Sequence, residues 1–440
     1  MSSLDARRTF PAARQPAPRA QSIAALDIGT SKIACLIPEK DFAGPGPLRI
    51  LGVGHQPARG VRGGVIADLD ACQTAVKAAL DQAERMAGVG VSEVVVTLSG
   101  FAMRSERYAA EVGLSGHPIE ERDVRRVIQS ALSGVRADGK SILHAIPIGF
   151  SIDGAPGVRD PRGLVGSRLG VTLNVVLIPT TVKRNLDLCV HRTFRTVKAS
   201  VAAPFAASLA AVVDDERDLG CICIDLGAGV TSAAVFTDGV LVHVDSVPLG
   251  GNHVTSDLAQ GLGAGPSAAE RLKTLYGSVI ASFSEDTEMI ETPQVGDDGR
   301  IEYAQAPRSV LSGIIRPRVE ETLELLRDRL IAAGVDALSS RRIVLTGGGS
   351  ELNGVRELAA RVFGAPVRLG RPLRYSGLAD SLSGPAFAGV AGALRWVANP
   401  PMDAAQKIIA GGAETGPPEG MVGRAVAWLR EHFWANGRGG

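Results

Sequence analysis

Two acidic residues, each at the end of an apolar run, are the side chains in this sequence best placed to do chemistry. Asp27 closes Ile23-Ala24-Ala25-Leu26 and leads into Ile28-Gly29-Thr30-Ser31-Lys32. Asp225 closes Cys221-Ile222-Cys223-Ile224 and leads into Leu226-Gly227-Ala228-Gly229-Val230-Thr231. In both, a buried strand delivers a carboxylate to its end, and a glycine that accepts backbone angles closed to other residues turns the chain. The exposed N–H groups of such a turn, with the hydroxyls of Thr30 and Ser31, suit phosphate oxygens. A carboxylate repels phosphate and acts through a hydrated divalent cation. The expectation is a nucleotide with Mg²⁺ held through water by Asp27 and Asp225. One copy alone reads equally well as an ordinary β-turn; the second copy points to two related halves facing each other.

The elements that must position these turns follow from patterning. After the first turn come strands at 32–37 and 48–53, a helix carrying Ala75, Val76, Ala79 and Leu80 that stops at Gly88, and an apolar strand at 94–98. From residue 103 the texture changes to strands at 108–112, 142–152 and 171–178 with an amphipathic helix at 120–132, which marks an inserted α+β module over 103–180. Its Gly- and Pro-rich stretch 153–170 reads as a long surface loop. Helical pattern resumes at 181–188, and the small residues of 201–210 predict a helix that packs closely on a neighbour. The second half repeats the meander at 221–244. It continues with a helix at 266–276, a long helix from Arg316, a buried strand at 343–346 running into Gly347-Gly348-Gly349, and a helix at 355–363. The domain plan is thus a tail at 1–21, a first lobe at 22–102 and 181–212, the module at 103–180, a second lobe at 213–262 and 331–398 with an insertion at 263–330, and a linker at 399–419.

Composition narrows the function classes. The chain has 440 residues, 45% hydrophobic and 21% charged, with a formal net charge of +1. That describes a globular protein of more than one domain without the basic excess of a nucleic-acid binder. Five cysteines without metal-ligand spacing read as core thiols of a reducing cytoplasm. The first 21 residues mix arginines with Ala, Pro, Gln and Ser and lack a signal-peptide core. No run approaches the roughly 20 apolar residues of a membrane span.

The order Asp27-Ile28-Gly29-Thr30, Asp225-Leu226-Gly227-Ala228-Gly229 and Thr346-Gly347-Gly348-Gly349 resembles the superfamily of actin, the sugar kinases and the heat-shock chaperone ATPases. Within it, Gly250-Gly251-Asn252-His253-Val254-Thr255-Ser256-Asp257, Ala269-Glu270-Arg271-Leu272-Lys273 and Pro372-Leu373 are most similar to the bacterial cell-division family FtsA, over about residues 22–398 and the last 20. The resemblance implies a duplicated actin-like (ribonuclease H-like) α/β fold with ATP and Mg²⁺ between two lobes. Glu270 and Lys273, three apart on one helix face, would reach ribose and base, and Gly347, Gly348 and Gly349 would pass under adenine. The expected ligand set is Asp27, Gly29, Thr30, Ser31, Lys32, Asp225, Gly227, Ala228, Gly229, Thr231, Glu270, Lys273 and the three glycines. Two departures stand out. Val230 replaces a hydroxyl residue, leaving Thr231 beside it, and Ala202-Ala203-Pro204 lacks the acidic residue with which hydrolysing relatives orient water. Binding with at most slow turnover follows. The resemblance also implies self-assembly into filaments, later division proteins recruited through the module, and capture of the C-terminal peptide of FtsZ by the second-lobe insertion. Arg300, Arg316 and Arg318, near Val319 and Leu323, are the candidates for that capture.

The C-terminal segment 420–436 has a character of its own. Val422, Val426, Leu429 and Phe433 fall on one helical face, flanked by Met421, Ala425 and Trp428, while Arg424 and Arg430 lie elsewhere. Aromatic residues favour the headgroup boundary and arginines favour anionic lipid, so an interfacial amphipathic helix is expected, and the resemblance implies that it lies on the cytoplasmic face of the inner membrane. A helix docked on the protein is the alternative. This tail separates a membrane-tethered division protein from the other proteins of the same fold: a small-molecule kinase, a chaperone ATPase or an actin-like pilus-assembly protein.

Overall fold

Residues 21–39, 46–136, 138–280, 287–295, 301–335, 341–373, 375–379 and 382–399 are described by the computed structural model. β1 (Gln21–Ile28) and β2 (Lys32–Pro38) form the hairpin expected around Gly29, and β3 (Leu48–Pro57) continues it antiparallel. A short hairpin, β4 (Val61–Arg62) and β5 (Val65–Ile66), leads to α1 (Leu69–Ala87). Asp68 caps this helix by accepting from the Asp70 and Ala71 N–H groups, and Gly88 ends it at φ 70°. The buried face of α1 lies directly on β3, where a Cβ on Gly54 would fall 1.8 Å from the Ala79 carbonyl oxygen. β6 (Gly90–Leu98) then returns parallel to β1.

The module is a sheet in the order β7-β10-β8-β9, built from β7 (Arg104–Gly113), β8 (Lys140–Ile152), β9 (Ala155–Val158) and β10 (Arg168–Pro179), and covered by α2 (Glu121–Ser133). It has its own core of Ile119, Val127, Ile128, Leu173 and Val175. The stretch expected as one long loop contains β9 and the start of β10. Asp153 (φ 50°) and Gly154 (φ 85°) make the tight turn, Gly157 (φ 92°) sits within β9 where the register shifts, and this glycine signal masks a short exposed strand in the sequence.

Beyond the module run α3 (Thr180–His191), β11 (Thr196–Ala202), α4 (Ala203–Ala211) and α5 (Asp214–Leu219). The helix expected over 201–210 therefore begins later. Val201 and Ala202 complete a parallel strand opposite Thr97 and Leu98, and Pro204 sits in the first helical turn.

The second half contains β12 (Cys221–Leu226), β13 (Thr231–Thr237), β14 (Val240–Val247), α6 (Gly251–Leu262), α7 (Pro266–Tyr276), the hairpin β15 (Met289–Val295) and β16 (Ile301–Pro307), and α8 (Arg308–Ala332). It closes with β17 (Arg342–Thr346), α9 (Val355–Phe363), β18 (Val367–Leu369), β19 (Tyr375–Ser376) and α10 (Ala388–Ala398). The two main sheets have matching orders, β3-β2-β1-β6-β11 and β14-β13-β12-β17-β18, which is the internal duplication.

Three expectations need correction. α8 starts at Arg308, not Arg316, and runs through Pro317. Pro317 and Gly313, the residue whose carbonyl loses its helical partner, both face solvent, so water can take the bond. The insertion at 263–330 is not a separate body, because Leu272, Leu311, Ile315, Leu323 and Leu326 share one core with Ile222, Ile224 and Leu345. Residues 375–398 do not belong to the second lobe either. β19 pairs with β3, and Val390, Ala391 and Leu394 of α10 join the core of β1, β2 and β6. α10 lies against α4 so tightly that a Cβ on Gly392 would stand 1.6 Å from the Ala206 carbonyl oxygen, which accounts for the small residues at 203–211.

Candidate functional site

β1 and β12 end at one cavity of about 550 Å³, and its walls include every residue expected around the ligand. Asp27, Gly29, Thr30, Ser31 and Lys32 come from the first turn. Asp225, Gly227, Ala228, Gly229 and Thr231 come from the second, Glu270 and Lys273 from α7, and Gly347, Gly348 and Gly349 from the end of β17. The two turns share a hydrogen bond: Gly29 N–H donates to the Lys32 carbonyl at 3.0 Å, and Gly227 N–H to that of Val230 at 3.1 Å. Neither glycine has a positive φ. Glycine is required instead by proximity, since a Cβ would lie 2.9 Å from the Lys32 oxygen and 2.6 Å from the Val230 oxygen. Gly229 is likewise pinned, its would-be Cβ 2.7 Å from Thr30 Oγ1, so the turns of the two halves touch.

The carboxylates occupy equivalent positions. Asp27 is opposite Thr97 on the parallel neighbour β6, and Asp225 is opposite Thr346 on β17. The Thr97 hydroxyl donates to Asp27 Oδ1, whereas the Thr346 hydroxyl bonds the Pro385 carbonyl at 3.3 Å. Burial raises the pKa of Asp27, opposed by the Thr97 bond and the Lys32 charge. Asp225 is pushed up to about 7 by burial and by the Asp27 charge, with Lys32 opposing. The Lys32 ammonium rests 5.0 Å from the centre of the Phe387 ring.

At the far wall, Lys273 Nζ meets Glu270 Oε2 at 2.7 Å, Thr255 Oγ1 at 2.9 Å and the Gly251 carbonyl at 3.1 Å. The pair is therefore part of a network anchored on α6, not an isolated surface ion pair. The glycine run has mixed causes. Gly347 (φ 80°) would place a Cβ 2.2 Å from Asp225 Oδ1, and Gly349 would place one 3.0 Å from the Leu226 carbonyl oxygen. Gly348 meets nothing nearer than Ala386 Cβ at 3.7 Å, so of the three it has the most room for a side chain.

Two expected roles change. Thr231 does not compensate for Val230, because its buried hydroxyl donates to the Leu249 carbonyl at 2.8 Å. Arg318 is gripped by Asp257 (Nε to Oδ2 2.5 Å, Nη2 to Oδ1 3.2 Å) and by Glu321, while Val319 and Leu323 are core residues. Arg318 thus fastens α8 to α6. Arg316 is more open, 3.7 Å from Glu320. Arg300 and the segment 420–436 lie outside the described residues.

Sequence reasoning passed over Thr97, Ser99, Thr255, the tip of β4–β5 and Gly389. Gly64 N–H donates to Thr30 Oγ1 at 3.0 Å, and Gly389 in the first turn of α10 would hold a Cβ 3.7 Å from Asp27 Oδ2. Thr97 carried a signal, a polar residue inside an apolar strand. Gly64 and Gly389 carried none, being brought in by the fold. Ala203 lines the cavity at the start of α4. Among the described residues no cluster of His, Cys, Asp and Glu is set to hold a metal ion by protein ligands alone, and no helix is long and apolar enough to cross a membrane.

The family model described as Cell division protein FtsA matches residues 222–392, and that of the SHS2 domain inserted in FtsA matches residues 100–177. The chain is 41% identical to a cell division protein FtsA of Agrobacterium fabrum, covering 94% of this chain and 96% of that one. It is 33% identical to that of Escherichia coli K12, covering 93% and 98%. Among solved structures, a PilM–PilN type IV pilus biogenesis complex aligns with a TM-score of 0.61 at 19% identity over 86% of this chain and 99% of that one, a likeness of fold alone. Duplicated sheets, an inserted module in the first half and full-length relatives agree: the chain is an actin-like protein of the cell-division family FtsA.

Proposed function

We propose that this protein binds ATP with Mg²⁺, polymerises on the cytoplasmic face of the inner membrane, and there holds the FtsZ ring and recruits later division proteins. The observation that carries the reading is the convergence of both Asp–x–Gly turns, the Glu270–Lys273 network and the 347–349 glycines on one cavity. The donor set fits the ligand. Two recessed carboxylates raise each other's cost of ionisation unless a cation stands near, and the cavity offers Lys32 and backbone N–H groups but no protein-built metal cage.

Asp27 and Asp225 would hold hydrated Mg²⁺, which screens phosphate charge when bound. Thr30, Ser31, Lys32 and the turn amides would take the phosphates. Glu270 and Lys273 would take the ribose and base, with Gly348 under the base. Ala203 gives the start of α4 no carboxylate with which to orient water, which supports binding with slow turnover.

Membrane attachment rests on the sequence of 420–436. A single short amphipathic helix is a weak anchor; a polymer multiplies it by avidity. Polymerisation would bring the module against the second half of the next subunit. FtsZ capture is assigned to the second-lobe insertion through Arg300 and Arg316, since Arg318 is engaged by Asp257 and Glu321. The test is sedimentation and flotation with anionic liposomes, with and without Mg²⁺·ATP, of the full chain and of the chain lacking 420–440. ATP-enhanced binding that disappears with the tail supports the reading. Binding that survives the truncation overturns the tether.

A further inference from the structure

Only 4% of this chain is aromatic, yet three buried rings stand in line across its three parts. His144 belongs to β8 of the module, Phe205 to α4 of the first half and Phe236 to β13 of the second. None is more than 1% exposed. The His144 and Phe205 centroids are 5.2 Å apart and edge to face, and those of Phe205 and Phe236 are 6.2 Å apart and tilted by 42°. His144 also accepts a hydrogen bond at Nε2 from the Ala202 N–H, at 2.9 Å. Ala202 is the last residue of β11, and the next residue, Ala203, opens α4 and lines the cavity. Phe236 lies on the strand that leaves the second turn, five residues beyond Thr231.

We infer that His144 is a positioning residue for the nucleotide, acting through Ala202 and Phe205 and linking occupancy of the cavity to the placement of the inserted module. The inference rests on the nucleotide reading above. A buried amide at the head of α4 needs an acceptor, and the fold takes that acceptor from a different unit. The start of α4 at the cavity is therefore tied to β8 as well as to α10 and β6. Protein interiors are close-packed and tend to transmit a shift rather than absorb it, and the edge-to-face contact of His144 with Phe205 offers such a route. Closure of the two turns on a nucleotide would displace Ala203 on one side and β13 on the other, and the rings between them meet at β8. Two further contacts fix the module to the second half along the same side: Asn174 Nδ2 donates to the Leu241 carbonyl at 3.1 Å, and Val244 N–H donates to Ser105 Oγ at 2.7 Å. They belong to β14, the neighbour of β13, and make the second half part of the same joint.

The test uses the full chain and two readouts, ATP and ADP affinity by calorimetry in Mg²⁺ and hydrogen exchange of peptides covering 140–152 with and without ATP. In the native protein ATP should slow exchange in 140–152. His144→Leu should keep a cooperative melt, bind ATP about tenfold more weakly for the loss of one buried acceptor, and lose the ATP effect on 140–152. His144→Gln, whose side-chain carbonyl can accept the same N–H, should recover most of both. If His144→Leu does not fold, Phe205→Leu takes its place, keeping the imidazole–amide bond while removing the ring between the units, and should lose the exchange effect. Full retention of the effect in whichever of the two folds overturns the inference. Native protein that binds ATP without any change in 140–152 also overturns it, whereas native protein that does not bind ATP at all instead overturns the nucleotide reading on which it stands.

Discussion

Burial, with the charge of Asp27 added to it, lifts the carboxyl of Asp225 to about 7, and Asp27 acts on it because the two residues end equivalent strands and look into one cavity from opposite halves. An empty cavity therefore carries a pH signature. The folded pKa of Asp225 lies above its ordinary value, so between pH 4 and about 7 the folded chain holds the proton that the unfolded chain has lost. Asp225 then contributes a loss of stability as pH rises through that window. A divalent cation with nucleotide favours the ionised pair and offsets the loss. The melting shift produced by Mg²⁺·ATP should be larger at pH 8 than at pH 6, and Asp225→Asn should flatten it. Thermal melts across this range check it; a shift independent of pH in the native protein would remove Asp225 from the cation site.

Asp27→Ala should weaken Mg²⁺-dependent ATP binding, and it also takes the acceptor from the buried Thr97 hydroxyl. Gly347→Ala should do more. Its Cβ would meet Asp225 at 2.2 Å and its backbone sits at φ 80°, so the Asp225 carboxylate must move. Calorimetric titration of both variants is the measurement, and unchanged affinity in Asp27→Ala would make the cavity assignment wrong.

Arg318→Ala should lower stability by about 1 kcal/mol, the scale of a partly exposed charge-assisted clamp, with FtsZ-peptide capture changing only as far as α8 loosens from α6. Charge reversal at Arg316 or Arg300 should reduce capture of an acidic FtsZ tail peptide without moving the melt. Fluorescence anisotropy with a labelled peptide, paired with urea denaturation, separates the two effects. Equal peptide affinity in the Arg316 and Arg300 reversals would rule out this surface.

Trp428→Glu or Leu429→Glu should release the protein from anionic vesicles, and Arg424→Ala should only weaken binding at low salt and make its salt dependence shallower. Burial of apolar area at roughly 25 cal/mol per Å² and about 1 kcal/mol per basic residue near an anionic surface together make one helix a reversible anchor. Vesicle flotation at low and high ionic strength decides it: a Leu429→Glu protein that still floats places the tail on the protein and not on the lipid.

Deleting the module over 103–180 should leave protein that no longer forms normal filaments. The buried His144–Ala202 bond and the contacts of Asn174 and Ser105 with β14 mean that it also strips acceptors and donors from both halves. Point changes on the module's exposed surface are the cleaner probe, read by electron microscopy on lipid monolayers. Normal filaments from all of them would exclude the module as a contact.

Local chemistry made much of this protein legible from its sequence. A strand that must end at a carboxylate and a glycine turn is written in consecutive residues, and so is its repeat, which is why both Asp–x–Gly hairpins, α1, α7, α9 and most module strands follow from pattern alone. The small residues at 203–211 announced a close neighbour without saying which. Only tertiary structure could decide that the neighbour is α10, that residues 375–398 return to the first half, and that 263–330 shares the second core, because parallel pairing and helix packing join segments hundreds of residues apart. The same holds at the cavity. The glycines at 29, 227 and 347 read as turn residues, but their necessity comes from oxygen atoms within 3 Å. Thr231 and Arg318 read as free groups until Leu249 and Asp257 were brought to them by the fold. Residue type sets what a side chain can bond; which partner it finds is settled only when the chain has closed around it.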